Sequence, residues 1–236
     1  LMERYGVACD DLRTDLHECL GHGSGQLLPG TDPDALKAYG NTIEEARADL
    51  FGLYYIADQK LIDLGLLPDG EAYKAQYYSY IMNGLMTQLI RIQPGNQIEE
   101  AHMRNRALIA HWCYEKGDAI QLERRKGKTY VRINDYEALR QLFAKQLAEI
   151  QRIKSEGDYE AARHLVERYA VKVDPVLHEE VLARYQKLNL APYKGFINPW
   201  LLPVYDADGA ICDIQVNYSE SYAHQMLRYG QEYGTM

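Results

Sequence analysis

Two histidines flank a glutamate in the stretch "DLHECLGHGSGQLLPG", which reads His17-Glu18-Cys19-Leu20-Gly21-His22. Imidazoles and carboxylates are ligands that zinc takes at roughly 2 Å in a near-tetrahedral set. A glutamate beside such a ligand, but not itself bound, is placed to move a proton. The usual peptidase spacing is His-Glu-x-x-His, with the histidines four apart on one helix face. Here they are five apart. Five steps along a regular α-helix turn the second ring about 140° away from the first, so the pair cannot chelate. A one-residue bulge over Cys19 to Gly21, with i→i+5 hydrogen bonding, realigns them. Gly21 admits such a backbone most easily.

A zinc site with an open position takes a third protein ligand, and His2Glu is one such set. The stretch "NTIEEARADLFGLYY" offers Glu44, Glu45 and Asp49, with Arg47 among them. Asn41-x-x-Glu44 and Thr42-x-x-Glu45 each fit a capping pattern, so spacing leaves open which glutamate is the ligand. Glu45 follows His22 by 23 positions, a suitable length for a helix–loop–helix return. Asp49, one turn further on, could hold the free ring nitrogen of a liganding histidine. The plainer alternative is a surface acid paired with Arg47 or Lys60. Farther along, "EAHMRNRALI" puts His102 and Arg106 four apart on one helix face. His111, His164, His178 and His224 belong to no motif and read as surface or packing residues.

The elements that must position these groups are mainly helical. Helices are expected over 3–22, 42–64, 71–91 and 97–116, the second capped by Asn41 or Thr42 and stopped by Gly65. The alternation of "AIQLERRKGKTYVRI" around Lys126-Gly127 predicts a short hairpin. Helices follow at about 135–155, 159–170 and 175–188. The Pro- and Gly-punctuated segment from Ala191 to Tyr218 is irregular or β-like, with a turn at Asp206-Ala207-Asp208-Gly209, and a last helix starts near Ser219. The expected class is mainly α, with a small hairpin or irregular element.

The 236 residues are 47% hydrophobic, ample for a real core. A net charge of -8 argues against nucleic acid as a partner. No apolar run approaches the roughly 20 residues a membrane span needs. Four widely spaced cysteines, Cys9, Cys19, Cys113 and Cys212, form no disulfide framework and read as thiols of a cytoplasmic protein. The opening "LMERYGVACDDL" reaches the histidine motif within 20 residues, which reads as a segment of something longer.

Taken together, His17-Glu18-Cys19-Leu20-Gly21-His22 and Glu44-Glu45-Ala46-Arg47-Ala48-Asp49 resemble the two signature motifs of the dipeptidyl peptidase III family of zinc exopeptidases. Those motifs run His-Glu-x-x-Gly-His and Glu-Glu-x-Arg-Ala-(Glu/Asp), and the Gly-Ser-Gly-x-Leu-Leu run at Gly23–Leu28 agrees as well. The resemblance implies that His17, His22 and Glu45 bind one zinc ion, that Glu18 is the catalytic carboxylate, and that Glu44 and Asp49 support the ligands. The family's His-Met-x-x-Arg element maps onto His102, a donor to the reacting carbonyl, and Arg106, which orients substrate or a neighbouring acid. A late basic pair that contacts substrate is matched only by Lys194 in "YKGFINP", with Tyr193 at the other position. The resemblance further implies a two-lobed peptidase that releases N-terminal dipeptides from oligopeptides; separately, a monomer is expected. Residues 1–236 would be its helical zinc lobe, the β-barrel lobe that grips the peptide's amine being mostly absent. A chain with half a cleft is then expected to be nearly inactive alone. The competing expectations are a structural or regulatory zinc module without catalysis, and a helical interaction module.

Overall fold

The computed structural model of the chain describes residues 1–190 and 195–234. It divides into two compact units, Leu1–Leu188 and Asn189–Met236. The class is mainly α, as the sequence predicts.

In the larger unit α1 (Met2–Leu16) runs directly into a π-helical turn, His17–His22. The central helix is α2 (Gly40–Tyr55), which packs against α1, the π-turn and three later helices, α5 (Ala101–Lys116), α6 (Tyr136–Glu156) and α7 (Tyr159–Tyr169). A helix covered on all sides loses its polar stripe. Accordingly Thr42, Ile43, Ala46, Arg47, Ala48, Asp49, Leu50, Gly52 and Leu53 of α2 are all buried. Two of them, Arg47 and Asp49, are charged, which demands partners for both.

The expected helix 42–64 is two helices. Asp58 adopts an extended backbone and accepts a hydrogen bond from the Lys60 amide, which starts α3 (Gln59–Asp63) afresh. Neither Asn41 nor Thr42 caps α2. It begins at Gly40 out of a 3-10 turn, Lys37–Tyr39, which satisfies the first amides without a side chain. The expected helix 71–91 is α4 (Tyr73–Leu85) followed by a 3-10 turn, Thr87–Arg91. Its break has a cause in Gln88, whose side-chain amide donates to the Gly84 and Met103 carbonyls and ties the end of α4 to α5. Helix α5 starts at 101 rather than 97 because the Glu100 carboxylate accepts the amides of His102 and Met103.

The hairpin of β1 (Ile120–Arg125) and β2 (Lys128–Ile133) turns at Lys126 and Gly127, both with positive φ. Aspartates cap α6, α7 and α8 (Pro175–Gln186). Tyr77, Ile81, Leu108, Ile109, Leu139, Phe143 and Ile150 form the centre of the core. The smaller unit holds a second hairpin, β3 (Trp200–Tyr205) and β4 (Ile211–Asn217), and α9 (Tyr222–Tyr233). Within it the buried Gln225 side chain pairs with the Asn198 backbone. Among the described residues no helix is long and apolar enough to cross a membrane.

Two glycines permit close helix contacts. A methyl group on Gly84 would collide with the Arg106 carbonyl and Ala110 of α5. One on Gly21 would come within 2.6 Å of the Ala48 Cα of α2. Gly84→Ala and Gly21→Ala are each expected to lose about 1–3 kcal/mol of stability by overpacking. Urea unfolding checks this, and a wild-type midpoint in either variant contradicts it.

Candidate metal centre

The extra residue in the histidine motif is absorbed as the bulge expectation requires: His17–His22 is one π-helical turn. The rings of His17 and His22 meet edge to face with centroids 4.6 Å apart. The role of Gly21 differs from the expected one. Its φ is not in the left-handed region, so it supplies no special backbone conformation. What it supplies is absence of a side chain, which lets the π-turn lie against Ala48 and bring both rings onto α2.

Glu45 of α2 meets those rings. Its Oε2 lies 3.5 Å from His17 Nε2 and 3.8 Å from His22 Nε2. One ligand atom from each of the three residues lies within 4.8 Å of the others. A tetrahedral site with bonds of about 2.0–2.1 Å separates its ligand atoms by roughly 3.4 Å, so this spacing fits a metal ion. A second observation agrees: Glu45 Oε2 is buried and has no hydrogen-bond partner. A carboxylate oxygen left so is costly unless a cation meets it. Two imidazole nitrogens and one carboxylate oxygen form a donor set that borderline cations such as zinc accept. Among the described residues the group has these three members and no fourth.

Both rings are held from behind. His17 Nδ1 donates to Asp49 Oδ1 at 2.8 Å and His22 Nδ1 donates to Glu44 Oε1 at 2.9 Å. With the proton on Nδ1 in each ring, both Nε2 lone pairs are free to face Glu45. Asp49 is the more connected support. Oδ1 also takes Arg13 Nη1 at 2.8 Å, and Oδ2 takes the Tyr80 hydroxyl at 2.7 Å and Asn105 Nδ2 at 2.8 Å. Burial alone would raise its pKa; the bond from His17 and the charge of Arg13 outweigh it and hold the carboxyl below its ordinary range. For His17 burial opposes protonation, while the bond to Asp49 and the nearby carboxylates prevail and raise its pKa. Glu44 accepts from both Arg47 and Lys154 as well as His22, and despite burial its pKa falls to about 2.

The alternative for Asp49, a surface acid paired with Arg47 or Lys60, does not occur: it is buried and pairs with neither. Arg13, Tyr80, Asn105 and Lys154 are the partners that sequence reading missed. Arg13 carried a signal, being four residues before His17 and so on its face of α1. Tyr80, Asn105 and Lys154 join through tertiary packing and carried none.

Glu18 is 65% exposed and its Oε1 is 4.0 Å from His17 Nε2. His102, in the first turn of α5, is half exposed, with Nδ1 3.2 Å from Glu45 Oε2. Arg106 is half-buried on the same helix, and its side chain makes no hydrogen bond or ion pair among the described residues. Lys194 lies outside the described residues. Away from the centre, His178 is buried against the Leu89 and Ile92 carbonyls and His111 bonds the Tyr169 carbonyl, as packing residues do. Asp49→Ala would leave the buried donors of His17, Tyr80 and Asn105 unmatched and Arg13 with only Asp10 and Thr14, and is expected to cost about 3–5 kcal/mol in the metal-free protein, by denaturant unfolding. A loss under 1 kcal/mol would contradict this weight on Asp49.

The sequence profile of peptidase family M49 matches residues 30–187, a span that contains Glu44, Glu45, Asp49 and His102. Among solved structures the chain is similar to dipeptidyl peptidase III from Caldithrix abyssi, with 28% identity and a TM-score of 0.56 over 75% of this chain. It also has the fold of dipeptidyl-peptidase III from Corallococcus sp. strain EGB, with 23% identity and a TM-score of 0.56 over the same share. It covers 32% and 31% of those two chains, so it spans about a third of their length. The family match extends over more than half of the residues, and the chain belongs to peptidase family M49, the dipeptidyl peptidase III family.

Proposed function

We propose that the chain is the metal-bearing lobe of a two-lobed, zinc-dependent dipeptidyl peptidase acting on oligopeptides. The observation that carries the reading is the convergence of three ligand atoms, from His17, His22 and Glu45, with the exposed Glu18 carboxylate beside them. Structural zinc sites are usually closed by four protein ligands, whereas catalytic sites keep a position open. A set of three therefore favours catalysis over a purely structural module. The length of the chain, about a third of the two solved peptidases, supports a lobe whose peptide-gripping counterpart lies elsewhere. Four free thiols suit a reducing compartment.

Zinc, when bound, polarises the scissile carbonyl and lowers the pKa of a water from about 16 towards about 7. Glu18 takes a proton from the attacking water and returns it to the leaving amine. Its exposure keeps it accessible to substrate, and it stands outside the group of His17, His22 and Glu45 that converges on the metal position. His102 donates to the carbonyl oxygen as negative charge develops there, a contribution of roughly 3–4 kcal/mol where comparable donors have been removed. Arg106, whose side chain has no hydrogen-bond or ion-pair partner among the described residues, orients the peptide, and Lys194 contacts it. Asp49 and Glu44 keep the two imidazoles in the ligating tautomer.

Glu18→Gln is expected to retain one zinc per chain by elemental mass spectrometry, while dipeptide release by the intact peptidase falls at least about 100-fold. Undiminished turnover would sink the mechanism. Glu45→Ala is expected to abolish stoichiometric zinc binding, and Glu44→Ala to weaken it by about 10- to 100-fold. Equal affinities in the two variants would reverse the choice of ligand.

A further inference from the structure

Arg47 is a charged side chain with no exposed surface, and the proton chemistry above does not use it. All of its donors are engaged. Nε and Nη2 make a side-on pair with Glu44, at 3.0 Å to Oε2 and 2.8 Å to Oε1. Nη2 also donates to the Gly21 carbonyl at 2.7 Å. Nη1 donates to Ser24 Oγ at 3.3 Å and Gln151 Oε1 at 3.4 Å. Gly25 packs so closely on the guanidinium that a methyl group there would come within 2.8 Å of Nη1.

Two of these contacts bear on one residue. Gly21 immediately precedes His22 at the end of the π-turn, and its carbonyl, which also accepts from the Gly23 and Ser24 amides, takes its shortest bond from Arg47. Glu44 holds the His22 ring through Nδ1. One planar fork thus grips both the backbone and the ring support of the same histidine. His17 has no such link, since its ring is held through Asp49. We infer that Arg47 is a positioning residue for His22, fixing where its Nε2 points by capping Gly21 and orienting Glu44. Its relevance to metal binding rests on the reading that His22 is a ligand.

Arg47→Lys retains the charge but replaces the fork with a single donor head, and Arg47→Met removes both. In the metal-free protein at alkaline pH, nitrogen NMR of the imidazoles reports each ring's tautomer. The wild type is expected to show the Nδ1–H form for both histidines. Both variants are expected to move His22 towards the Nε2–H form and leave His17 unchanged. Zinc affinity per folded molecule, by competition with a chelator, is expected to fall about 10- to 100-fold. A folded variant with wild-type His22 tautomer and zinc affinity overturns the inference. So does an equal change in both rings, or a failure of both variants to fold, since either marks a general structural role. If the wild-type chain binds no zinc, the ligand assignment fails, while the tautomers still decide whether Arg47 positions His22.

Discussion

A single buried carboxylate holds the site to the fold. Asp49 receives donors from α1, the π-turn, α4 and α5, through Arg13, His17, Tyr80 and Asn105. A carboxylate removed from water is strongly penalised unless its oxygens are matched, and here four donors match them. The constraint runs both ways. These four elements must meet α2 at the level of Asp49, or the charge is left bare. Because Asp49 follows Glu45 by one turn, satisfying it also places Glu45 under the two histidine rings.

The π-turn then answers a geometric conflict in the sequence. Five-residue spacing is wrong for an α-helix, and the turn widens to accept it. Such a turn is a weak structure by itself, and tertiary contacts hold it. Gly21 lies on Ala48, Arg47 binds the Gly21 carbonyl, and the Ser24 hydroxyl donates to the Leu20 and Gly21 carbonyls. The same motif on α2 that contributes Glu45 thus also contributes the residues that brace the turn.

What could be read from the sequence follows the range of each interaction. Helix classes, the Lys126-Gly127 hairpin and the need for a bulge are local, and periodicity, turn chemistry and residue spacing revealed them. Interruptions made by a side chain on a backbone were harder. Asp58 and Glu100 reset helix starts, and Gln88 ends α4 by reaching across to α5. The choice between Glu44 and Glu45 was not decidable from capping patterns, since neither is a cap. Their side chains face different partners, Arg47 and Lys154 for one and two imidazoles for the other. Gly21 shows the limit clearly: its conformational freedom was the visible property, but its missing side chain is the one the packing uses.

The three side chains that converge on the candidate metal position come from one continuous stretch of about 30 residues, so closing that loop costs little chain entropy. A ligand set so local in sequence needs only the π-turn, the following loop and the start of α2 in register before a cation can join it. Binding there would favour the folded chain in proportion to the logarithm of metal concentration over Kd. The metal would then act on the assembly of α1 with α2, the pair on which the later helices pack, and so on folding as well as on chemistry.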